Sequence, residues 1–233
     1  MTLFVAPIVE GETEERCIKI ILSRIWRDLL SAAELEPLAV LEPIPASRSA
    51  LIKDGHLELT IMVERAVRVL RARQRQTDVD RGFVLLLIDA DEDCPRRLGP
   101  QLLARAKTAR TDADIACILA KRELENWFKA AATSLAGVCG LPDDLSVPQN
   151  PEDGSGDTWL THQKQRKERS AKYTKPADAV ELAQRMDLQQ CRRNSPSFDK
   201  LCREFESRMP QPPADPKPTE ETPPPTAEEG TSS

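Results

Sequence analysis

Aromatic residues are scarce in this chain: Phe, Trp and Tyr together make up 4% of 233 residues, and Tyr173 is the one tyrosine. Stacking platforms for nucleobases are therefore few, so contact with a nucleic acid would have to rest on charge. Histidine is also scarce, with two in the whole chain. The six cysteines (Cys17, Cys94, Cys117, Cys139, Cys191 and Cys202) contain no C-x-x-C pair. These two shortages argue against a zinc site, which needs Cys and His at close spacing. Scattered cysteines with no signal peptide fit reduced thiols, and a cytoplasmic protein is expected. Long apolar runs are missing too. The run at 83–88 is far shorter than the roughly 20 residues that span a bilayer, so no membrane association is expected.

Charge is unevenly placed. From Ser207 the chain turns into "SRMPQPPADPKPTEETPPPTAEEGTSS", with almost no apolar residues to offset the entropy of ordering. Residues 207–233 are read as a disordered Pro/Glu-rich tail. They hold two basic residues, Arg208 and Lys217, against Asp215, Glu220, Glu221, Glu228 and Glu229. The net charge of −5 thus comes largely from the tail. Local patches, not overall acidity, must identify a partner.

Before the tail, strands alternate with helices. Leu3 to Val9 is a short apolar run ending at a glutamate and a glycine, which predicts a buried strand. Ile18, Ile21, Leu22, Ile25, Trp26, Leu29 and Leu30 recur at helical spacing. A weaker strand is expected over 37–44, a loop over 45–56, and a helix through Leu59, Met62, Val63, Ala66, Val67 and Leu70. Arg65, Arg68, Arg71, Arg73 and Arg75 line that helix, most simply as a solvated face. Phe83 to Ile88 reads as a central strand, with Pro95 placed to open the next helix. Ile115 to Leu119 is a further strand, followed by a helix over 122–135. Residues 140–158 read as a long loop, and 176–186 and 198–205 as short helices. The pattern implies an α/β domain over 1–138: a mainly parallel sheet of about four strands flanked by helices. A loop and helical basic extension fills 139–206.

Parallel sheets bind ligands beyond the carboxyl ends of their strands. Acidic clusters fall at three such places. "VEGETEE" follows the first strand, "DADED" the central strand, and "RELEN" the strand at 115–119. In extended chain, alternate residues point the same way, so Asp89, Asp91 and Asp93 would share one side. Hard cations such as Mg²⁺ take oxygen ligands, and a cation would relieve repulsion among packed carboxylates. The simpler readings stay open. Glu12, Glu14 and Glu15 suit the first turn of a helix capped by Gly11. "DADED" suits a polar turn, and Glu123 and Glu125 a charged helix surface. Glu14 differs from its neighbours, because it lies four residues before Ile18 and so faces the sheet.

The sequences "IVEGETEE", "LLLIDADED" and "AKRELENWF" resemble the motifs of Toprim domains. More closely, they resemble a bacterial Toprim-like family of unknown function related to the overcoming-lysogenization-defect nucleases. The resemblance covers residues 3–135, and "KYTKP" and "NSPSF" extend it toward Arg203. It implies a Toprim-like (Rossmann-like) sheet, Mg²⁺ or Mn²⁺ as cofactor, and phosphodiester chemistry. On this likeness Glu10 is a metal ligand or general acid/base, and Glu14 is the second motif glutamate. Asp89 and Asp91 are metal ligands, Asp93 an additional one, and Glu125 a further acidic member. The chain lacks the ATPase domain fused in those nucleases, so an ATPase would be a separate subunit. Tyr173 has no topoisomerase-like context.

The expected function is metal-dependent phosphodiester hydrolysis of DNA or RNA, as the possible effector of a two-component phage-defence system. Glu10, Asp89, Asp91 and Asp93 would hold the metal, and Glu10, Glu14 and Glu125 would complete the catalytic set. Lys164, Arg166, Lys167, Arg169, Lys172 and Lys175 form a basic run that would contact phosphates; an ordinary solvated helix face is the alternative. Lys53 and His56 could also reach the site from their loop. Two other readings remain: a non-catalytic module that binds nucleic acid or an ATPase, and a receiver-like phospho-acceptor. The last lacks a well-placed lysine after a later strand. The oligomeric state is left open.

Overall fold

Three apolar runs are long enough to be buried on both sides, and they form the centre of a parallel sheet in the computed structural model. The structure describes residues 2–34, 36–53 and 57–210. The strands are β1 (Leu3–Val9), β2 (Leu38–Val40), β3 (Ile44–Pro45), β4 (Gly82–Asp89) and β5 (Ile115–Ala120). The order is β2-β1-β4-β5, and every pairing is parallel. β3 also pairs with β1, beyond β2 on the same edge. The run expected at 37–44 is therefore a broken edge strand, as its prolines require, since proline cannot donate to a ladder.

Alternation along each strand sorts the side chains into two cores. Leu3, Val5, Val9, Phe83, Leu85, Leu87, Ala116, Ile118 and Ala120 face one way. Phe4, Ala6, Ile8, Val84, Leu86, Ile88, Ile115, Cys117 and Leu119 face the other. The second face is covered by α2 (Arg48–Ile52), α3 (Leu57–Thr77) and α4 (Pro95–Ala109). On the first face lies α1 (Glu12–Arg24), which runs on as a wider helical turn over Ile25–Leu29. It shares that core with α5 (Glu125–Ala130), α6 (Gly156–Lys167), α7 (Ala177–Arg185), α8 (Leu188–Asn194) and α9 (Pro196–Glu206). The α/β class and the parallel sheet flanked by helices are as the sequence implies.

Local details differ. The expected loop at 45–56 contains α2, whose five residues are too few to show a period. The helix expected over 122–135 shortens to Glu125–Ala130, because Arg122 takes a left-handed backbone (φ 62°) and forces a turn first. The loop and basic run expected beyond 140 contain α6. Arg208 lies just inside the expected tail, yet it is anchored: it pairs with Asp114 at 2.7 Å and its guanidinium sits 4.3 Å from the Phe83 ring centre. Residues 211–233 of the expected tail, and His56, lie outside the described residues. All six cysteines are free thiols. Among the described residues no helix is long and apolar enough to cross a membrane.

Candidate active site

The carboxyl ends of β1, β4 and β5 lie side by side, because Val9 pairs with Leu87 and Asp89 with Ala120. Glu10 follows β1 directly. Gly11 then opens α1, and its backbone is extended (φ −131°) rather than left-handed. A Cβ at position 11 would stand 2.7 Å from Glu14 Oε2, the far end of a side chain that lies against this turn. The Glu14 carboxylate therefore folds back over the helix start, and Glu14 is 6% exposed. Glu12 is exposed and pairs with Arg16 at 2.6 Å, as an ordinary first-turn acid.

Asp89 is the meeting point. Its backbone N–H donates to Glu10 Oε2 at 3.3 Å, and its own Oδ1 accepts from the Leu124 N–H at 2.9 Å. The Asp89 carboxyl is pushed well above the usual carboxylate range, by burial first and then by Glu14, Glu125, Glu10 and Glu123. Four acidic neighbours thus act on one group: Glu10 just after β1, Glu14 in α1, Glu123 in the β5–α5 turn and Glu125 at the start of α5. Glu10 is raised as well, mainly by burial, with Asp91 and Glu14 adding; the Asp89 N–H and Arg48 oppose this. Glu125 is fully buried and is also raised by burial, against the opposing charge of Lys175. Lys175 Nζ lies 3.0 Å from Glu125 Oε1, and Tyr173 OH donates to the same oxygen at 3.3 Å. Glu125 Oε2 is buried with no hydrogen-bond partner.

Asp91 and Asp93 are placed differently. β4 ends at Asp89, and Asp91 has a left-handed backbone (φ 47°) that starts a turn. The alternation that would align Asp89, Asp91 and Asp93 therefore does not apply. Both outer aspartates turn to Arg48 at the start of α2: Asp91 pairs with it at 3.2 Å, and Asp93 accepts a hydrogen bond from it. Arg48 Nε also donates to the Asp89 carbonyl at 2.9 Å and Nη2 to the Ala90 carbonyl at 3.0 Å. Its side chain is 12% exposed. Arg48 was not visible in the sequence as a site residue, since it lies in a stretch read as loop, 41 residues from Asp89.

The basic run divides too. Lys164 pairs with Asp178 at 2.7 Å, Arg166 with Asp144 at 2.6 Å, and Lys167 with Asp143 at 3.4 Å. Lys175 belongs to the acidic cluster, touching Glu123 and Asp157 as well as Glu125. Arg169 and Lys172 form no ion pair among the described residues. Glu123 serves the structure, because its Oε1 accepts from Ser155 Oγ at 2.8 Å and the Asp157 N–H at 2.9 Å and so ties the start of α6 to the site. Lys121, directly after β5, lines a separate cavity beside α4 and α9.

The donor set is all carboxylate oxygen, which suits a hard divalent cation, and the unpartnered buried oxygen of Glu125 leaves coordinating capacity unused. Among the described residues, no group of three His, Cys, Asp or Glu side chains is already arranged to hold a metal ion. In class, then, this is a three-layer parallel α/β domain with buried acids beyond its strand ends. The chain belongs to DUF4276, a domain of unknown function whose family model matches residues 9–206. No curated protein and no solved structure matches it.

Proposed function

We propose that the protein is a divalent-cation-dependent phosphodiester hydrolase acting on DNA or RNA. The observation that carries this reading is the convergence of Glu10, Glu14, Glu123 and Glu125 on buried Asp89 at the shared end of three parallel strands. So many acids in one partly buried place are costly unless protons or a cation offset them. The phosphodiester part rests on the likeness of "VEGETEE" and "DADED" to Toprim motifs, which the family match neither supports nor opposes.

Glu10, Glu14 and Asp89 would hold the cation, with Glu125 beside them; Asp91 and Asp93 join only when Arg48 releases them. When bound, Mg²⁺ or Mn²⁺ supplies Lewis acidity toward a phosphate and lowers the pKa of water. The chain's own residues do the rest. The Leu124 N–H holds one Asp89 oxygen in place. The Asp89 N–H orients Glu10, whose carboxyl pKa burial raises and which could take or give a proton from that fixed position. Arg48 fixes the backbone of residues 89–90.

The test is incubation of plasmid, single-stranded DNA and RNA with Mn²⁺ or Mg²⁺, with and without a candidate partner ATPase. Wild type should degrade at least one substrate, and Asp89→Asn and Glu10→Gln should lose at least about 100-fold, the scale of a general acid/base contribution. Intact substrates in every wild-type reaction would overturn the reading. A second reading is a non-catalytic binding module. It is favoured by Arg48, which already pairs with both outer aspartates without a metal ion. Oligonucleotide binding without cleavage would select it.

A further inference from the structure

One cavity carries charge opposite to that of the acidic cluster. It measures about 580 Å³ and opens past the end of β5, between α4 and α9. Arg96 lines it from the first turn of α4, Lys121 from the residue after β5, and Lys200 and Arg203 from α9. Its single acidic lining residue is Glu152. Neutral donors fix that carboxylate without cancelling its charge: Oε1 accepts from Ser197 N–H at 2.9 Å, Ser197 Oγ at 2.6 Å and Ser195 Oγ at 2.5 Å, at the start of α9. Lys200 Nζ donates to the Cys117 carbonyl at 2.8 Å, a neutral partner that leaves its charge uncompensated. Arg203 pairs with Asp199 at 3.1 Å, in a balanced group where Arg192 holds both Asp199 and Glu206, so the excess charge lies on the other three cations. Arg96 and Lys121 form no ion pair among the described residues. Several cations therefore surround one concave space with too few anions, an arrangement that a bound anion relieves.

We infer that this cavity binds backbone phosphates of a single-stranded nucleic acid, next to the scissile phosphate. The substrate class rests on the hydrolase reading above; the charge and shape do not. The cavity and the acidic cluster are joined by one short segment. Lys121 follows Ala120, the register partner of Asp89. The Asn126 side chain binds the Lys121, Glu152 and Gly154 carbonyls together at 3.0–3.2 Å, which fixes the cavity wall to the start of α5. The segment that carries Lys121 thus borders both places. The basic run on α6 is less suited, because Lys164, Arg166 and Lys167 each already have a carboxylate. Phosphate contacts are reported by salt dependence, since each one releases condensed counterions.

The experiment is fluorescence anisotropy of labelled oligothymidylate and oligouridylate in EDTA, so that no cleavage intervenes. Compared are wild type, Arg96→Ala/Lys121→Ala, and the α6 control Arg166→Ala/Lys167→Ala. The cavity variant should bind about tenfold more weakly, and its log–log salt slope should flatten by about 0.7 per lost contact. The α6 control should stay within about twofold. Thermal melts matching wild type would show that both variants fold. Equal binding by the cavity variant and wild type, or no oligonucleotide binding at all, would overturn the inference. So would oligonucleotides binding no tighter than inorganic phosphate added as competitor, which would make the ligand a free anion. The two readings separate cleanly. Cavity-dependent binding with no cleavage in Mn²⁺ leaves the cavity standing and removes the hydrolase; cleavage with binding indifferent to Arg96 and Lys121 does the reverse.

Discussion

Glu125 is fully buried and keeps one charged partner, Lys175, at 3.0 Å. Burial raises the Glu125 pKa and Lys175 opposes that rise. Lys175→Met would leave the carboxylate buried without its cation, a change that costs about 3–5 kcal/mol for a fully buried pair. The Lys175 side chain is 38% exposed, so solvent already screens the pair, and a loss of about 1–3 kcal/mol is expected. The loss should be larger at pH 8 than at pH 5. A carboxyl whose folded pKa lies above its unfolded value opposes folding most when fully ionised, and a proton can replace the missing lysine at low pH. Urea unfolding at the two pH values measures this. Adding Glu125→Gln should recover most of the loss, because the charge needing a partner is gone. Lys175→Met unfolding like wild type at both pH values would remove Lys175 from the cluster.

At the scale of elements, β1, β4 and β5 were legible because continuous apolar runs bounded by acids and glycine have few alternatives. Once their ends were placed, Glu10, Asp89 and the 123–125 region followed, since parallel strands share one end. Asp91 and Asp93 were misaligned by the same reasoning: alternation holds within a strand and fails at the turn that Asp91 begins. Arg48 was hidden because its partners are distant in sequence and its helix is five residues long. The α6 helix was obscured because its apolar residues form no stripe; of its residues only Gly156 and Leu160 are buried. Gly156 explains how α6 still packs. A Cβ there would lie 2.6 Å from the Glu125 carbonyl carbon and 2.8 Å from the Asn126 nitrogen. Gly156→Ala should therefore push α6 off α5, at a cost of about 1–3 kcal/mol. Gly154→Ala meets nothing within 4 Å and carries only the penalty of its left-handed φ of 68°, about 1 kcal/mol. Urea midpoints give the ranking; if Gly154→Ala were the more damaging, α5–α6 contact would not depend on the missing Cβ.

Taken as a whole, the molecule places its mutually repelling acids at one end of the sheet, so its stability should depend on protons and cations together. Glu10, Asp89 and Glu125 all have folded pKa values above their usual range, with burial the first cause in each. Unfolded carboxylates titrate near about 4. From there up to the raised values the folded state holds more protons than the unfolded one, so stability falls as pH rises through that window. Asp28 and Asp112 have lowered values, through the guanidinium bonds of Arg27 and Arg110, so their contribution changes only below the window. In EDTA the protein should melt at a lower temperature at pH 8 than at pH 5. Mn²⁺ at about 100 times its Kd adds about 2.7 kcal/mol, which for a chain of this size raises Tm on the order of 5–10 °C. At pH 5 the gain should shrink, because protons compete for the same oxygens. Asp89→Asn isolates the cause: it keeps an acceptor for the Leu124 N–H, now at 2.9 Å, and removes one charge. That variant should melt higher than wild type in EDTA at pH 8, with a flatter pH profile and a smaller response to Mn²⁺. A wild-type Tm indifferent to Mn²⁺ at both pH values would show that these acids hold no cation, and an Asp89→Asn profile as steep as wild type would place the repulsion elsewhere.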